Sequence, residues 1–479
     1  MKEGAKAPSS KGHVMTLTRR NLLHMGTTLG LGAMLPGAIR ASTSGPHLLT
    51  ARVADVQLAP PDYPKTQIWG YDGKMPGTLI RVKQGDRIER RFVNDLPQAS
   101  SVHWHGLRID NSMDGVAGLT QDAVPPGGTF DYGFTAHDAG TYWYHAHNRS
   151  MEQVARGLYG ALIVEETEAV DVDREELLIL DDWLLNPETA QLDSEFETPH
   201  DRSHAGRRGN YIATNGSAET ELPVKVGERL RLRLINAANA RIFELALSGF
   251  EGWVMAYDGM PLGEPEKAEG TFLLAPGQRI DLFVDVTAVA GEVAHLVRID
   301  DDEGFSQAAF PVAPAESSAR MRETPDPLPP NPNMSVPGVQ TARRFELNME
   351  GGAMGSLQSA SLNGKEMSFR ELVAANQFWS FNGVVGMTDT PLAQLSSGET
   401  ARVSISNDTV FPHAMHLHGM HFREILDDGE LGPLRDTLLV FGDETREIAF
   451  VAGEPGKWIF HCHMLAHTAS GMATWIDVT

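Results

Sequence analysis

The chain has 479 residues, length enough for about three domains at roughly 150 residues each. With 41% hydrophobic and 22% charged residues it can bury a sizeable core, and past its N-terminus it has no apolar run that would span a bilayer. No membrane insertion is therefore expected, and the formal charge of −23 argues against nucleic-acid or membrane-surface partners while being compatible with neutral or cationic substrates.

In chain order, scattered lysines lead to Thr18-Arg19-Arg20-Asn21-Leu22-Leu23 and then to a mildly apolar, Gly-rich stretch from Gly30 to Ile39. Paired arginines ahead of such a stretch, with small residues Ala41, Ser42 and Thr43 behind it, predict a twin-arginine signal peptide over residues 1–41 and a periplasmic or otherwise exported protein. That segment holds six Lys/Arg and one acid, so its removal takes the formal charge from −23 to −28. The single cysteine, Cys462, excludes an intramolecular disulfide.

Three copies of one pattern follow. Gly85-Asp86, Gly227-Glu228 and Gly398-Glu399 each precede, nine residues after the glycine, an asparagine: Asn94, Asn236 and Asn407. Upstream of each lies Asp72-Gly73, Asn215-Gly216 or Asn382-Gly383, with short alternating segments between, such as Leu230 to Ile235. Period-two alternation bounded by turn residues means strands. The repeat predicts an all-β chain of three consecutive Greek-key sandwiches, near 45–165, 172–312 and 340–479, with a Pro-rich extended connector at 313–339.

In that register the first copy carries His103 and His105, the third His416 and His418, and the middle Leu245 and Leu247. The run Gly140 to His147 likewise matches Gly456 to His463, with Ala146 where the last copy has Cys462. On a strand, residues i and i+2 share a face, so each His-X-His pair aims two imidazoles at one point. The clusters His103/His105, His145/His147, His413/His416/His418 and His461/His463/His467 hold ten of the eighteen histidines. Imidazole favours Cu, Zn, Fe or Ni, and His413, Cys462, His467 and Met472 supply the two nitrogens, thiolate and weak axial thioether of a blue-copper electron-transfer site. Because Cys462 faces one side of its strand and His461 and His463 the other, a thiolate-bound metal has a short covalent route into the eight-histidine cluster.

These motifs, in this order and over essentially the whole chain after the leader, resemble the three-domain multicopper oxidases, which include laccases, bacterial cuprous oxidases and bilirubin oxidases. The resemblance implies cupredoxin-like domains and four coppers. His103 and His416 would bind type 2 copper, and His105, His145, His147, His418, His461 and His463 the type 3 pair. His413, Cys462, His467 and Met472 would bind type 1. It implies a middle domain acting as a spacer, dioxygen as acceptor, and catalytic parts for Cys462, His461 and His463, with Asp114 in proton delivery. Where many bacterial relatives carry a glutamate after the histidine matching His467, this chain has Thr468. The segment Arg435-Asp436-Thr437 resembles one near the type 1 site, although a structural salt bridge is the simpler reading. His137, His200, His204 and His421 lack paired spacing and read as ordinary residues, with His421 a neighbour of the third cluster.

Met334, Met349, Met354 and Met367 are dispersed rather than packed into a methionine-rich insert, which tilts the expected substrate to phenols or aromatic amines, acted on by a monomer. The alternatives are a cuprous oxidase acting on Cu(I) and a copper-free exported structural protein of the same fold. A copper nitrite reductase would carry two such repeats per chain.

Overall fold

Gly85, Gly227 and Gly398 share a left-handed backbone (φ 88°, 75° and 81°) that any side chain would strain. The acid after each glycine folds back onto the turn. Asp86 accepts from Lys83 N–H, Glu228 from Lys225 N–H and Glu399 from Ser396 N–H, at 3.0, 2.8 and 2.9 Å. Nine residues on, the three asparagines are buried and perform one task. Each carboxamide oxygen accepts from the backbone two residues ahead (Leu96, Ala238, Thr409). Each NH₂ donates to two carbonyls across the loop: Gln98 and Val124, Arg241 and Leu274, Phe411 and Val440. A buried loop has no water to satisfy its backbone, so an amide that meets three groups at once explains why this residue recurs.

The computed structural model describes residues 46–315, 322–355 and 357–479, so the twin-arginine segment lies outside the described residues. Each asparagine closes a parallel strand pair, with Ala51 opposite Asn94, Leu180 opposite Asn236 and Met349 opposite Asn407. Around those pairs the sheets fall into three sequence-contiguous groups. The first has two four-stranded sheets, the middle a six- and a five-stranded sheet, and the last a six- and a five-stranded sheet with an added hairpin, Ser359–Leu362 with Lys365–Ser368. Each pair of sheets closes over its own apolar core, represented by Phe92 and Tyr144, by Leu232 and Leu296, and by Val403 and Phe460. The result is three consecutive cupredoxin-like Greek-key β-sandwiches, the fold class expected.

Residues of all three groups meet in a further apolar cluster that includes Trp143, Trp183, Ile235, Leu465 and Ala466. Past Ala313, the end of strand Glu303–Ala313, the described part of the Pro-rich segment has no strand but is anchored rather than loose. Leu328 packs with Trp253 and Phe283, Val336 and Val339 with Met260 and Leu434, and Asn331 bonds Ala139 through both its amide oxygen and nitrogen. Two cross-strand registers place the chemistry. In the first sandwich Val102–His105 pairs with Gly140–Ala146, setting His103 opposite His145; in the third His413–Leu417 pairs with Gly456–Cys462, setting His416 opposite His461.

Candidate metal centres

All twelve residues singled out for metal binding are buried, His147 most exposed at 9%. They form two groups. Eight histidines from the first and third sandwiches interleave, with the His103 and His418 rings stacked at 3.7 Å and those of His105 and His416 also at 3.7 Å. Separately, His413 and His467 bring their Nδ1 atoms to 3.0 Å from one another, with Cys462 Sγ at 3.6 and 3.7 Å. Met472 shares the buried core of that second group, and its carbonyl accepts Cys462 N–H at 3.1 Å.

The second nitrogen of each ring reveals what the first is for. His467 Nε2–H donates to the His204 carbonyl (2.7 Å), and His413 Nε2–H to the Thr409 hydroxyl (3.0 Å), whose own proton goes to Asn407. Both Nδ1 lone pairs are therefore bare and face the same point as Sγ. In the larger group His103 Nδ1–H donates to the Asp114 carbonyl (2.8 Å), and His418 Nδ1–H to the Asp114 carboxylate (3.0 and 3.1 Å). His416 Nδ1–H donates to the Asp436 carbonyl (3.0 Å) and His105 Nε2–H to its carboxylate (3.3 Å). His145 and His461 make the same bond in the two matched runs, Nδ1–H to the carbonyl of Ala146 and of Cys462 (3.2 and 2.9 Å). What remains includes His418 Nε2 facing His461 Nε2 at 3.1 Å, His463 Nε2 facing His145 Nε2 at 3.4 Å, and buried, unpartnered nitrogens on His103 (Nε2), His105 (Nδ1), His416 (Nε2) and His463 (Nδ1).

Bare lone pairs at such separations repel unless a cation lies among them. Rings oriented through the opposite N–H by carboxylates, carbonyls and a hydroxyl have the support that metal-binding histidines need. Burial presses in the same direction, lowering His461 to about 3 and His467 to about 4 and holding both imidazoles neutral. The Cys462 thiol is pushed up by burial to about 12, so a thiolate there requires a cation beside it. The donor set fits copper: nitrogen and thiolate without a carboxylate at the smaller group, imidazoles throughout the larger. Short-range triads such as His103/His416/His418, His147/His418/His461 and His413/Cys462/His467 mark where ions would sit.

Three features depart from expectation. Asp436 lies against His105 and His416 of the larger group rather than at the cysteine site, and it does form the salt bridge foreseen, a bidentate pair with Arg279 at 2.7 and 2.9 Å. Burial works to raise that carboxyl, but Arg279, His105 and His416 outweigh it and hold it well below the usual carboxylate range. The middle sandwich is more than a spacer. It supplies Arg279, and Asp258, which accepts from Arg279 N–H (2.9 Å) and from the backbone of Asp436 and Thr437. It also supplies Gly277 (φ 86°), where an added Cβ would come within 2.9 Å of the His463 ring and 3.1 Å of the His105 ring. Lastly, the His467 edge is covered: the helix Pro199–Ser203 is pinned by Trp379 Nε1–H to the Arg202 carbonyl (2.5 Å) and by Arg202 to the Ala469 carbonyl (2.9 Å). Within the sequence, spacing could not reveal these residues, because each acts singly from a strand or loop remote in the chain.

Family models described as multicopper oxidase match residues 52–169, 174–299 and 363–479. Among curated proteins, a multicopper oxidase of Mycobacterium tuberculosis is 30% identical, over 94% of this chain and 92% of its own. Among solved structures, a multi-copper oxidase from Pseudomonas thermotolerans is similar at a TM-score of 0.77 with 33% identity, covering 90% of this chain and 98% of that one. Lac15 from a marine microbial metagenome has a TM-score of 0.73 and 41% identity, over 91% and 100%.

Proposed function

The chain belongs to the multicopper oxidase family, copper-dependent oxidoreductases with dioxygen as acceptor, and from that premise we propose that it oxidises small organic donors, phenols or aromatic amines, at the Cys462 site. In this reading His413, Cys462, His467 and Met472 hold the type 1 copper, and His103 and His416 the type 2. His105, His145, His147, His418, His461 and His463 hold the type 3 pair. Copper held by these residues would supply one-electron redox chemistry, the kind needed to couple a one-electron donor to the four-electron reduction of dioxygen to water. The residues supply the path and the positions. From Cys462 Sγ an electron has a covalent route through one residue's backbone to His461 and His463, while Asp114 and Asp436 fix the rings that face them. On the donor side, the His204 carbonyl covers Nε2 of His467.

The observation that carries the organic-donor reading is the placement of the methionines. Met349 is buried in the third core, Met334 packs with Met260 and Val336, Met367 belongs to the added hairpin and packs in a separate cluster with Leu357 and Leu372, and Met354 is exposed, as is Met387. These thioethers fall in different clusters and do not gather into one dense run. Oxygen uptake by the copper-loaded enzyme tests the proposal: a methoxyphenol should give the higher kcat/KM and Cu(I) the lower, and the reverse order would overturn it. Cu(I) is the second reading. Exposed Met354 follows Ala353, whose N–H donates to the Ser203 carbonyl (2.8 Å), and His200 and His204 stack at 4.2 Å beside it, so soft and imidazole donors do share that face.

Among the described residues no helix is long and apolar enough to cross a membrane. The domain limits 45–165, 172–312 and 340–479, a monomeric state and export through a twin-arginine leader belong to the same proposal. Fractionation of cells expressing the chain with Arg19 and Arg20 changed to lysine checks the last: the protein should then stay in the cytoplasm.

A further inference from the structure

Beyond its paired histidines the third repeat turns at Gly419 (φ 66°) and enters strand Phe422–Ile425 through Met420 and His421. His421 is 5% exposed, and neither ring nitrogen has a hydrogen-bond partner. A dry interior penalises such a ring heavily, whereas a polar cavity with room for water meets its needs. His421 borders a cavity of about 590 Å³ with mixed walls, in which Arg108, Asp138, Asn333 and Glu454 stand beside Met420 and Leu434. Arg108 grips Asp138 through two bonds (2.5 and 2.7 Å) and donates to the Pro332 and Asn333 carbonyls, so the wall is both charged and held in place. On the inner side His421 Nε2 is 3.6 Å from Asp436 Oδ2, and the other oxygen of that carboxylate takes the His105 N–H.

From the cavity, the unpartnered ring and this contact we infer that His421 is the proton-relay residue linking solvent to the His105/His416 edge of the eight-histidine cluster. The inference rests on the oxidase reading of that cluster. A hydrated proton in the cavity passes to one ring nitrogen while the opposite nitrogen releases its own across the gap toward Asp436. The ring leaves neutral, as the other tautomer, and its rotation resets it. Four such transfers match the four electrons that turn one dioxygen into two waters. Burial, with Arg108 and Arg279 acting against Asp436 and Asp138, holds His421 at about 4, so the ring relays by exchange of tautomers rather than by storing charge. At His461 the neighbouring side chain is no acid: the Thr468 hydroxyl stands 3.2 Å from His461 Nδ1 and its proton goes to the Cys462 carbonyl.

The test compares His421→Leu and His421→Ala with the parent chain, all copper-loaded and fully reduced with dithionite, then mixed with oxygenated buffer, so that no organic donor enters. Expected are unchanged copper content and blue band, reoxidation slowed at least tenfold in both variants, a larger solvent isotope effect, and recovery of the alanine variant with added imidazole. A high-resolution structure of the copper-loaded enzyme should show ordered water bonded to a His421 ring nitrogen. Unchanged reoxidation, slowing that accompanies copper loss, lack of rescue by imidazole, or a dry cavity would each overturn the relay. Failure of phenol to bleach the blue band would sink the donor proposal alone.

Discussion

The cysteine site and the eight-histidine cluster both hold neutral imidazoles in fixed orientations, by different chemistry. At the cysteine site the second ring nitrogens go to a hydroxyl and a carbonyl, Thr409 and His204, both uncharged. At the cluster the orienting groups include two carboxylates, Asp114 from the first repeat and Asp436 from the third. A buried carboxylate needs a counter-charge, and for Asp436 that is Arg279 of the middle repeat. The smaller site is thus largely a property of one sandwich, whereas the larger requires all three, including the one that contributes no histidine to it.

Cys462→Ser breaks the comparison most completely. The blue band and turnover should vanish while copper analysis still finds about three ions per chain instead of about four, because the cluster's donors lie on the other face of the strand. Arg279→Met should do the converse. It strands Asp436, costing about 3–5 kcal/mol in thermal unfolding, and copper should leave the cluster while the blue band persists. Loss of the blue band in that variant would show that the two sites are not separable.

Acid reaches both sites through one cause. The imidazoles have folded-state values pushed down by burial, His461 to about 3 and His467 to about 4, from 6.5. Between those values and 6.5 the unfolded chain binds more protons than the folded one, so stability is complete above about 6.5 and falls as pH drops toward about 3. Denaturant titration of copper-free protein from pH 7 to 4 should show that decline, and copper-loaded protein should release metal over the same range. A smaller effect is expected of Asp114→Asn, a loss of about 10–100-fold in cluster copper affinity or turnover, as its amide accepts less strongly from His418. Smallest is Thr409→Val, about 1 kcal/mol, read as a shift of the blue band with the cluster unaffected.

Much of this was legible along the chain. Gly85, Asn94 and their counterparts recur because one turn and one buried carboxamide are needed wherever that loop is built, and a local need leaves a mark at fixed spacing. The His-X-His pairs are equally local, since two rings on one strand face need only a separation of two. Asp436 and Arg279 are another matter. They are 157 residues apart in the chain and 2.7 Å apart in space, and nothing in either neighbourhood names the other. The same holds for Gly277 beneath His463 and for the His204 carbonyl over His467. By itself the sequence determined the repeated sandwich, the copper-type donor set and the division between ligand-bearing and ligand-free repeats, all short-range consequences of strand periodicity and turn geometry. Only the tertiary structure decided which charge balances Asp436, what covers His467 and where His421 meets a cavity, because those depend on how three sandwiches pack, and packing brings together residues that carry no common spacing.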